Sequence, residues 1–336
     1  MRVKFRWLLA AAALSMSGNG AAMADALNPS MLPSDTKWLL HLDMDAVVKS
    51  DAMSEPIHNF LQEHHMGQHT GHHGGFLSGI HLPEDLHDIT IFGTGYQGDT
   101  GVTLIEVAKP TEPIDQLTAN RPGLQTIDYD GQKILSFHTP RGDVYESSPK
   151  PTEILIAHSL DAIKQELDVL TGKSASLSSD SKLLTDNTSG LFFYAAGSGL
   201  YQLGVRHTAQ SPILSHVDNG WLACSPKGSD LEITGELTAL TEQSAVEIQE
   251  SLLGIAATAE LTSEANAGGS QTQPASGTDL NASITASGLN VQIDCVASPD
   301  FWLKMLPGPP GPPPGQNRDH GPGPGPDQQP GPGPEQ

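Results

Sequence analysis

The chain has 336 residues, among which 17 lysines and arginines face 39 aspartates and glutamates, so its formal charge at pH 7 is −22. A surface this acidic repels phosphate backbones and anionic lipid headgroups, which argues against nucleic acid and membrane surfaces as partners. Aromatic residues make up only 5% of the chain, so we expect a core built mainly of Leu, Ile, Val and Ala.

The first 24 residues have the pattern of a secretory signal peptide. Basic residues lie within positions 2–6, an apolar run spans 7–16, and Ala22-Met23-Ala24 is a small-x-small cleavage site. Removing 1–24 leaves 14 basic and 39 acidic residues, a formal charge of −25. No later segment approaches the roughly 18 apolar residues that a membrane-spanning helix needs. The sequence therefore predicts an exported protein, periplasmic or extracellular, with no transmembrane segment in the mature chain.

Residues 25–172 form the first half of the predicted fold. Period-two patterns predict strands at TKWLLHLDM, DITIFGTG, GVTLIEVA, KILSFHT and EILIAHS. Helical spacing predicts helices at DAVVKSDAMSEPIHNFLQEH, near Pro113–Ala119, and at LDAIKQELDVLTG. In the last of these, Leu160, Ile163, Leu167 and Leu170 share one face, and Gly172 ends the helix.

A Ser-rich linker, 173–187, leads to the second predicted half, 188–306. Its predicted strands are GLFFYAAG, GWLACSP, LEITGELTAL, LNASITAS and LNVQIDCVA, the second and third of which form a hairpin across Lys227-Gly228. A helix capped at Thr241 and a final helix, PDFWLKML, complete this half. Because the order of elements repeats, we predict an α+β fold of two similar halves, each a mainly antiparallel sheet with helices on one face.

The last 30 residues, 307–336, contain 12 prolines and 8 glycines without the every-third-residue glycine of collagen. This composition predicts a disordered tail.

The most distinctive segment is a histidine-rich insertion, 58–81, which holds seven of the chain's 14 histidines. His65, His69 and His73 are spaced at i, i+4, and His69 and His72 at i, i+3, as metal-binding pairs on a helix are. With His64, these residues are candidate ligands for Zn²⁺, Ni²⁺ or Cu²⁺. The interspersed glycines disfavour a preorganised helix, so two other readings stay open: a solvated polar surface and a pH switch.

Two further pairs of residues invite interpretation. Cys224 and Cys295 lie in strand-like runs of a chain predicted to be exported to an oxidising compartment, so we expect a structural disulfide between them.

His41 and Asp43 alternate on one side of the first strand. They are either a hydrogen-bonded polar pair or the solvent face of an edge strand, and the second reading is favoured.

Three motifs carry a resemblance: Leu-Pro-x-Asp-x-x-Trp at 32–38, the His-x-Asp strand at 41–43, and Leu-x-Gly-Lys at 170–173. With them, the chain resembles a group of uncharacterised exported bacterial proteins over most of 31–200 and more weakly beyond. The resemblance implies export but brings no known activity, so it assigns no functional residue.

No catalytic motif is evident. The leading hypothesis is a non-enzymatic binding or structural protein of the bacterial cell envelope or periplasm, whose partner is an envelope protein or a ligand. The alternative is a divalent-metal buffer or carrier that uses the histidine-rich segment. A third hypothesis is a hydrolase whose site is assembled from residues distant in sequence.

Overall fold

A computed structural model describes the greater part of the chain between Leu27 and Phe301. The described residues are 27–56, 85–96, 100–111, 116–117, 123–139, 142–185, 188, 190–203, 213–267 (side chains to 261), 280–299 and 301. The signal peptide, the histidine-rich segment and the Pro/Gly-rich tail, all predicted above, lie outside these residues.

Among the described residues, seven strands come from the first half of the chain. They are β1 (Trp38–Asp43), β2 (Leu86–Gly93), β3 (Gly101–Val107), β4 (Gln125–Tyr129), β5 (Gln132–Thr139), β6 (Gly142–Ser147) and β7 (Glu153–Ala157). The helices α1 (Met44–Lys49) and α2 (Leu160–Leu170) accompany them, after a short 3-10 helix at Pro29–Met31. Helix α2 begins at the Ser159 cap and ends before Gly172, whose φ of +74° suits glycine.

In the described part of the second half there are five strands and one long helix. They are β8 (Phe193–Ser198), β9 (Val217–Lys227), β10 (Asp230–Ala239), α3 (Glu242–Ala267), β11 (Asn281–Ser287) and β12 (Asn290–Ala297), with a 3-10 helix at Ile213–His216. The predicted Thr241 cap is confirmed, because its hydroxyl accepts a hydrogen bond from the Ser244 backbone N–H at 3.0 Å.

All 12 strands belong to one antiparallel sheet, in the order β11-β12-β10-β9-β8-β1-β2-β3-β7-β6-β5-β4. The α+β class and the antiparallel pairing are thus as predicted. The halves do not form separate sheets, however, because β1 pairs with β8 in the middle. The first strand of each half thereby becomes a central strand with neighbours on both sides.

Helices cover both faces of this sheet, contrary to the predicted single face. Side chains of α2, including Ile163 and Leu167, pack with Leu39, Phe92 and Val102. Helix α1 packs with Leu42, Ile89 and Ile105, which alternate with the first set and therefore face the other way. The core consists mainly of Leu, Ile, Val and Ala, as expected.

Three local predictions need correction. Helix α1 ends at Lys49, well short of the predicted span, because Ser50 adopts an extended conformation (φ −81°, ψ 125°). Strands β4 and β6 were not predicted, since both carry polar residues at most positions. The Ser-rich segment after α2 is packed: Leu177 and Leu183 are buried, and the Leu177 N–H donates to the Leu32 carbonyl at 2.7 Å.

Among the described residues, no helix is both long and apolar enough to cross a membrane.

Candidate ligand pocket beside His41

Four acidic residues stand side by side on adjacent strands. Asp43 of β1 is opposite Asp88 of β2, which is opposite Glu106 of β3, which is opposite Glu153 of β7. Directly opposed residues in antiparallel strands point to the same face of a sheet. This acidic row therefore lies on the face that α2 covers, at the edge of an apolar core.

The two ends of the acidic row have structural partners. Asp43 caps α1, because its Oδ1 accepts a hydrogen bond from the Ala46 N–H at 2.7 Å. The Glu153 Oε1 accepts one from the Lys150 Nζ at 2.5 Å. The two middle residues, Asp88 and Glu106, also have partners, and both line a pocket.

The pocket has a volume of about 420 Å³ and lies between β1–β3 and the segment that precedes β1. That volume is within the usual range for small-molecule sites. Its lining residues are Leu27, Asn28, Pro29, Met31, Leu32, His41, Asp88, Thr90, Leu104 and Glu106.

His41 is the polar group of this pocket with the clearest unmet bonding capacity. Its side chain is 4% exposed, and its Nδ1 is 2.8 Å from the Thr90 hydroxyl. Its Nε2 is buried and has no hydrogen-bond partner among the described residues. Burial lowers the pKa of His41 to about 4, so the ring is neutral at pH 7.

The expectation that His41 and Asp43 form the solvent face of an edge strand is therefore wrong. Both side chains are buried, since β1 is flanked by β2 and β8. Nor do they pair with each other, because His41 bonds to Thr90 and Asp43 caps α1.

A buried carboxyl group lies close to the acidic row. Glu166 of α2 is fully buried, and neither of its carboxyl oxygens has a hydrogen-bond partner within the described part of the chain. Burial, with a smaller contribution from the negative charge of Glu153, raises the pKa of Glu166 to about 8. Glu166 is thus mostly protonated at neutral pH.

The predicted disulfide is not formed, and both cysteines are free. Cys224 of β9 and Cys295 of β12 are each opposite Ile233 of β10, which lies between them. They are therefore two strand spacings apart, roughly 10 Å. A disulfide requires Cα atoms less than about 7 Å apart.

The candidate metal ligands His64, His65, His69, His72 and His73 lie outside the described residues. Within the described ranges, no three histidine, cysteine, aspartate or glutamate side chains are grouped so that they could hold a metal ion. The proposed use of Zn²⁺, Ni²⁺ or Cu²⁺ by the histidine-rich segment therefore stays a prediction.

The sequence did not lead us to predict a site that contains Asp88, Thr90, Glu106 and Glu166. For two of them, Glu166 and Glu106, the sequence nevertheless holds a recognisable pattern. Glu166 interrupts the apolar face of an amphipathic helix, one position before Leu167. Glu106 follows Val102 and Leu104 on the inward face of β3. The spacing of apolar residues along a helix or strand shows which positions face the core. An acidic residue at such a position is unusual and can be recognised in the sequence.

Comparison with known proteins identifies no family. No family model matches the chain, and no curated protein matches its sequence. Among solved structures, crystal form I of TP0453 aligns with a TM-score of 0.46 and 10% identity, covering 83% of this chain and 96% of that one. Crystal form III aligns with a TM-score of 0.44 and 10% identity, covering 84% and 98%. A likeness at this level assigns no function.

Proposed function

We propose that this chain is an exported protein of the bacterial cell envelope that binds a small ligand in the His41 pocket. The observation that carries the proposal is the buried His41 Nε2 without a partner among the described residues. Buried polar groups in proteins are nearly always hydrogen-bonded, and leaving one unpaired costs about 1–3 kcal/mol. A bound ligand that supplies the missing partner removes that cost.

The same geometry favours binding over hydrolysis. The Thr90 hydroxyl and the His41 ring form a hydrogen bond, as a nucleophile and its base do. In such sites a third group orients the base through its other nitrogen. Here that nitrogen, Nε2, has no partner in the described part of the protein. A histidine with a pKa near 4 is also a weak base at neutral pH.

Export is tested by the N-terminus of the protein recovered from its native compartment. We expect the chain in the periplasmic or extracellular fraction to begin near Asp25, after removal of the segment 1–24. A full-length N-terminus, or recovery from the cytoplasm alone, would contradict the envelope location.

Ligand binding is tested by screening small metabolites against the exported chain for thermal stabilisation, followed by calorimetric titration. Replacing His41 by Asn keeps a group that can bond to Thr90 but removes Nε2, and we expect about tenfold weaker binding. The matched control is His138→Asn, since His138 is an exposed histidine whose Nδ1 contacts Asp143 at 2.8 Å. Equal affinity in wild type and His41→Asn would refute the assignment of the site.

The second candidate function is divalent-metal binding by the histidine-rich segment, supported by seven histidines within 24 residues. Calorimetric titration with Zn²⁺, Ni²⁺ and Cu²⁺ at pH 7.5 and 5.5 tests it. We expect micromolar or tighter binding at the higher pH and its loss at the lower pH, where imidazoles are protonated. A variant with Gln at His64, His65, His69, His72 and His73 should lose the event. If only weak, diffuse binding is observed, the interpretation of these residues as a solvated polar surface is favoured.

We also propose that the two halves of the sheet are versions of one unit. Support comes from the strand order on either side of the β1–β8 pair. In each half the first three strands lie side by side, β1-β2-β3 in one and β8-β9-β10 in the other. The third of these strands then pairs with the second strand of a later hairpin: β3 pairs with β7, and β10 pairs with β12. The β4–β5 hairpin would then be an addition to the first half.

A further inference from the structure

Strand β11 is an edge of the sheet without a charge, a proline or a bulge. Among the described residues its only strand neighbour is β12, with which it pairs in continuous register from Asn281 to Ser287. Its sequence, NASITAS, contains no charged residue and no proline. Edge strands of soluble proteins are usually protected by such features against pairing with another chain. The opposite edge strand, β4, carries a charge at Asp128.

Alternate residues of β11 have backbone groups that point away from β12; they are Ala282, Ile284 and Ala286. The reason is that Ser287 and Asn290 flank a two-residue turn and therefore form a hydrogen-bonded pair. Such pairs alternate along an antiparallel ladder, and the residues between them direct their N–H and C=O groups outward. The Ile284 carbonyl fits this pattern, because it accepts a hydrogen bond from the Gln249 Nε2 of α3 at 2.8 Å. That bond uses one of the two lone pairs of the carbonyl oxygen.

The sequence of β11 has nearly the same character when it is read in either direction from Ile284. Ala282 corresponds to Ala286, and Ser283 corresponds to Thr285. When two copies of the strand pair antiparallel about Ile284, each of these residues lies opposite its counterpart, alanine facing alanine and hydroxyl facing hydroxyl. The outward N–H and C=O groups of the two strands then also face each other. The edge is therefore complementary to a second copy of itself, as the contact surface of a twofold dimer is.

Helix α3 places apolar side chains next to this edge. Val246 and Leu253 lie three positions before and four positions after Gln249, so they share the side of the helix that contacts the β11 edge. Their side chains are 43% and 42% exposed. A second copy that pairs with β11 brings its own Val246 and Leu253 to the same place, which removes apolar surface from water on both copies.

We infer that the β11 edge is the surface through which two copies of this chain form a symmetric dimer. The two β11 strands pair antiparallel about Ile284, so that one sheet continues through both copies. Val246 and Leu253 of α3 contact their counterparts beside the joined strands. The formal charge of −25 on each mature chain opposes this association. Salt screens that repulsion and leaves the backbone and apolar contacts in place.

Sedimentation equilibrium of the exported chain over a range of protein concentrations tests the dimer. We expect a reversible dimer with a dissociation constant that is roughly micromolar and falls when NaCl is raised from about 50 to 500 mM. Ser283→Lys combined with Thr285→Lys places like charges opposite each other across the edge and should weaken association by at least about tenfold. The control, Gln125→Lys combined with Thr126→Lys, makes the same charge change at exposed positions of β4 and should not weaken it.

Charge exchange tests the register of the two strands. Ser283→Glu combined with Thr285→Glu should also weaken the dimer, because glutamates then oppose each other. An equimolar mixture of the Lys and Glu variants should form a heterodimer, since each lysine then lies opposite a glutamate.

The contribution of α3 is tested by Leu253→Ser, which should weaken association by about tenfold. Its matched control is Ile255→Ser. Ile255 is 54% exposed and, being two positions further along, lies on the opposite side of the helix. The control should leave the dissociation constant unchanged.

All the substituted positions are exposed, and thermal unfolding shows that each variant remains folded. A wild-type chain that stays monomeric up to about 100 μM in high salt would overturn the inference. A dimer that the two lysines leave intact would do the same, as would a mixture of Lys and Glu variants that stays monomeric. Equal losses in Leu253→Ser and Ile255→Ser would remove α3 from the contact surface and contradict the dimer as described. None of these measurements depends on the His41 pocket.

Discussion

Replacing Glu166 by Gln should make the stability of the protein much less dependent on pH between about 4.5 and 8. Glu166 is fully buried, and burial raises its pKa from 4.5 to about 8. In the unfolded chain the carboxyl group ionises near its ordinary value, so above pH 4.5 the folded state holds one proton more than the unfolded state. The stability that Glu166 contributes is therefore complete below pH 4.5 and falls as the pH rises toward 8.

The expected size of this effect is large. A difference of one bound proton changes the free energy of unfolding by about 1.4 kcal/mol per pH unit, so the wild type should lose roughly 3–4 kcal/mol from this residue between pH 4.5 and 7.5. Gln has nearly the same shape and does not titrate. Its buried amide also lacks partners among the described residues, which lowers stability at every pH by a similar amount. The difference between the two pH profiles gives the contribution of the Glu166 carboxyl group to the pH dependence of the free energy of unfolding.

Urea unfolding of wild type and Glu166→Gln at a series of pH values measures these profiles. The control is Glu260→Gln, at an exposed position of α3, whose profile should run parallel to that of the wild type. A parallel profile for Glu166→Gln as well would show that Glu166 does not hold a proton in the folded state. A Glu153→Gln variant should move the upper end of the pH window downward, because the negative charge of Glu153 helps to raise the pKa of Glu166.

The second large effect should follow from Tyr194→Ala. Tyr194 is fully buried in β8, its hydroxyl donates to the Leu183 carbonyl at 2.9 Å, and its ring stacks on Trp221 at 6.5 Å between centroids. Truncating a buried aromatic side chain usually costs about 3–5 kcal/mol. Tyr194→Phe keeps the ring but leaves the Leu183 carbonyl unpaired, at a cost of about 1–2 kcal/mol.

Denaturant unfolding of these variants measures both the loss and the cooperativity. Tyr201→Ala is the control, since Tyr201 is 36% exposed, and it should change stability by less than about 1 kcal/mol. Because β8 pairs with both β1 and β9, we expect Tyr194→Ala to lower a single transition that involves both halves. Two separate transitions would mean that the halves unfold independently despite their shared sheet.

Local patterns in the sequence were sufficient to predict most of the helices and strands. Alternating apolar residues located β1, β2 and β3, and the apolar face with its Ser159 and Gly172 boundaries located α2. These signals depend only on neighbours within a few residues. Strands β4 and β6 lacked such a signal because their polar side chains resemble those of turns.

The sequence by itself determined the α+β class, the antiparallel strands, the composition of the core and a segment unusually rich in histidine. Only the tertiary structure decided which strands are neighbours, and the candidate pocket beside His41 depends on that choice. The β1–β8 pair makes His41 a buried residue, the placement of β10 separates Cys224 from Cys295, and adjacent β2 and β3 bring Asp88 beside Glu106. The physical reason is that periodicity is set by residues close in sequence, whereas strand partners are chosen by contacts between residues far apart in the chain.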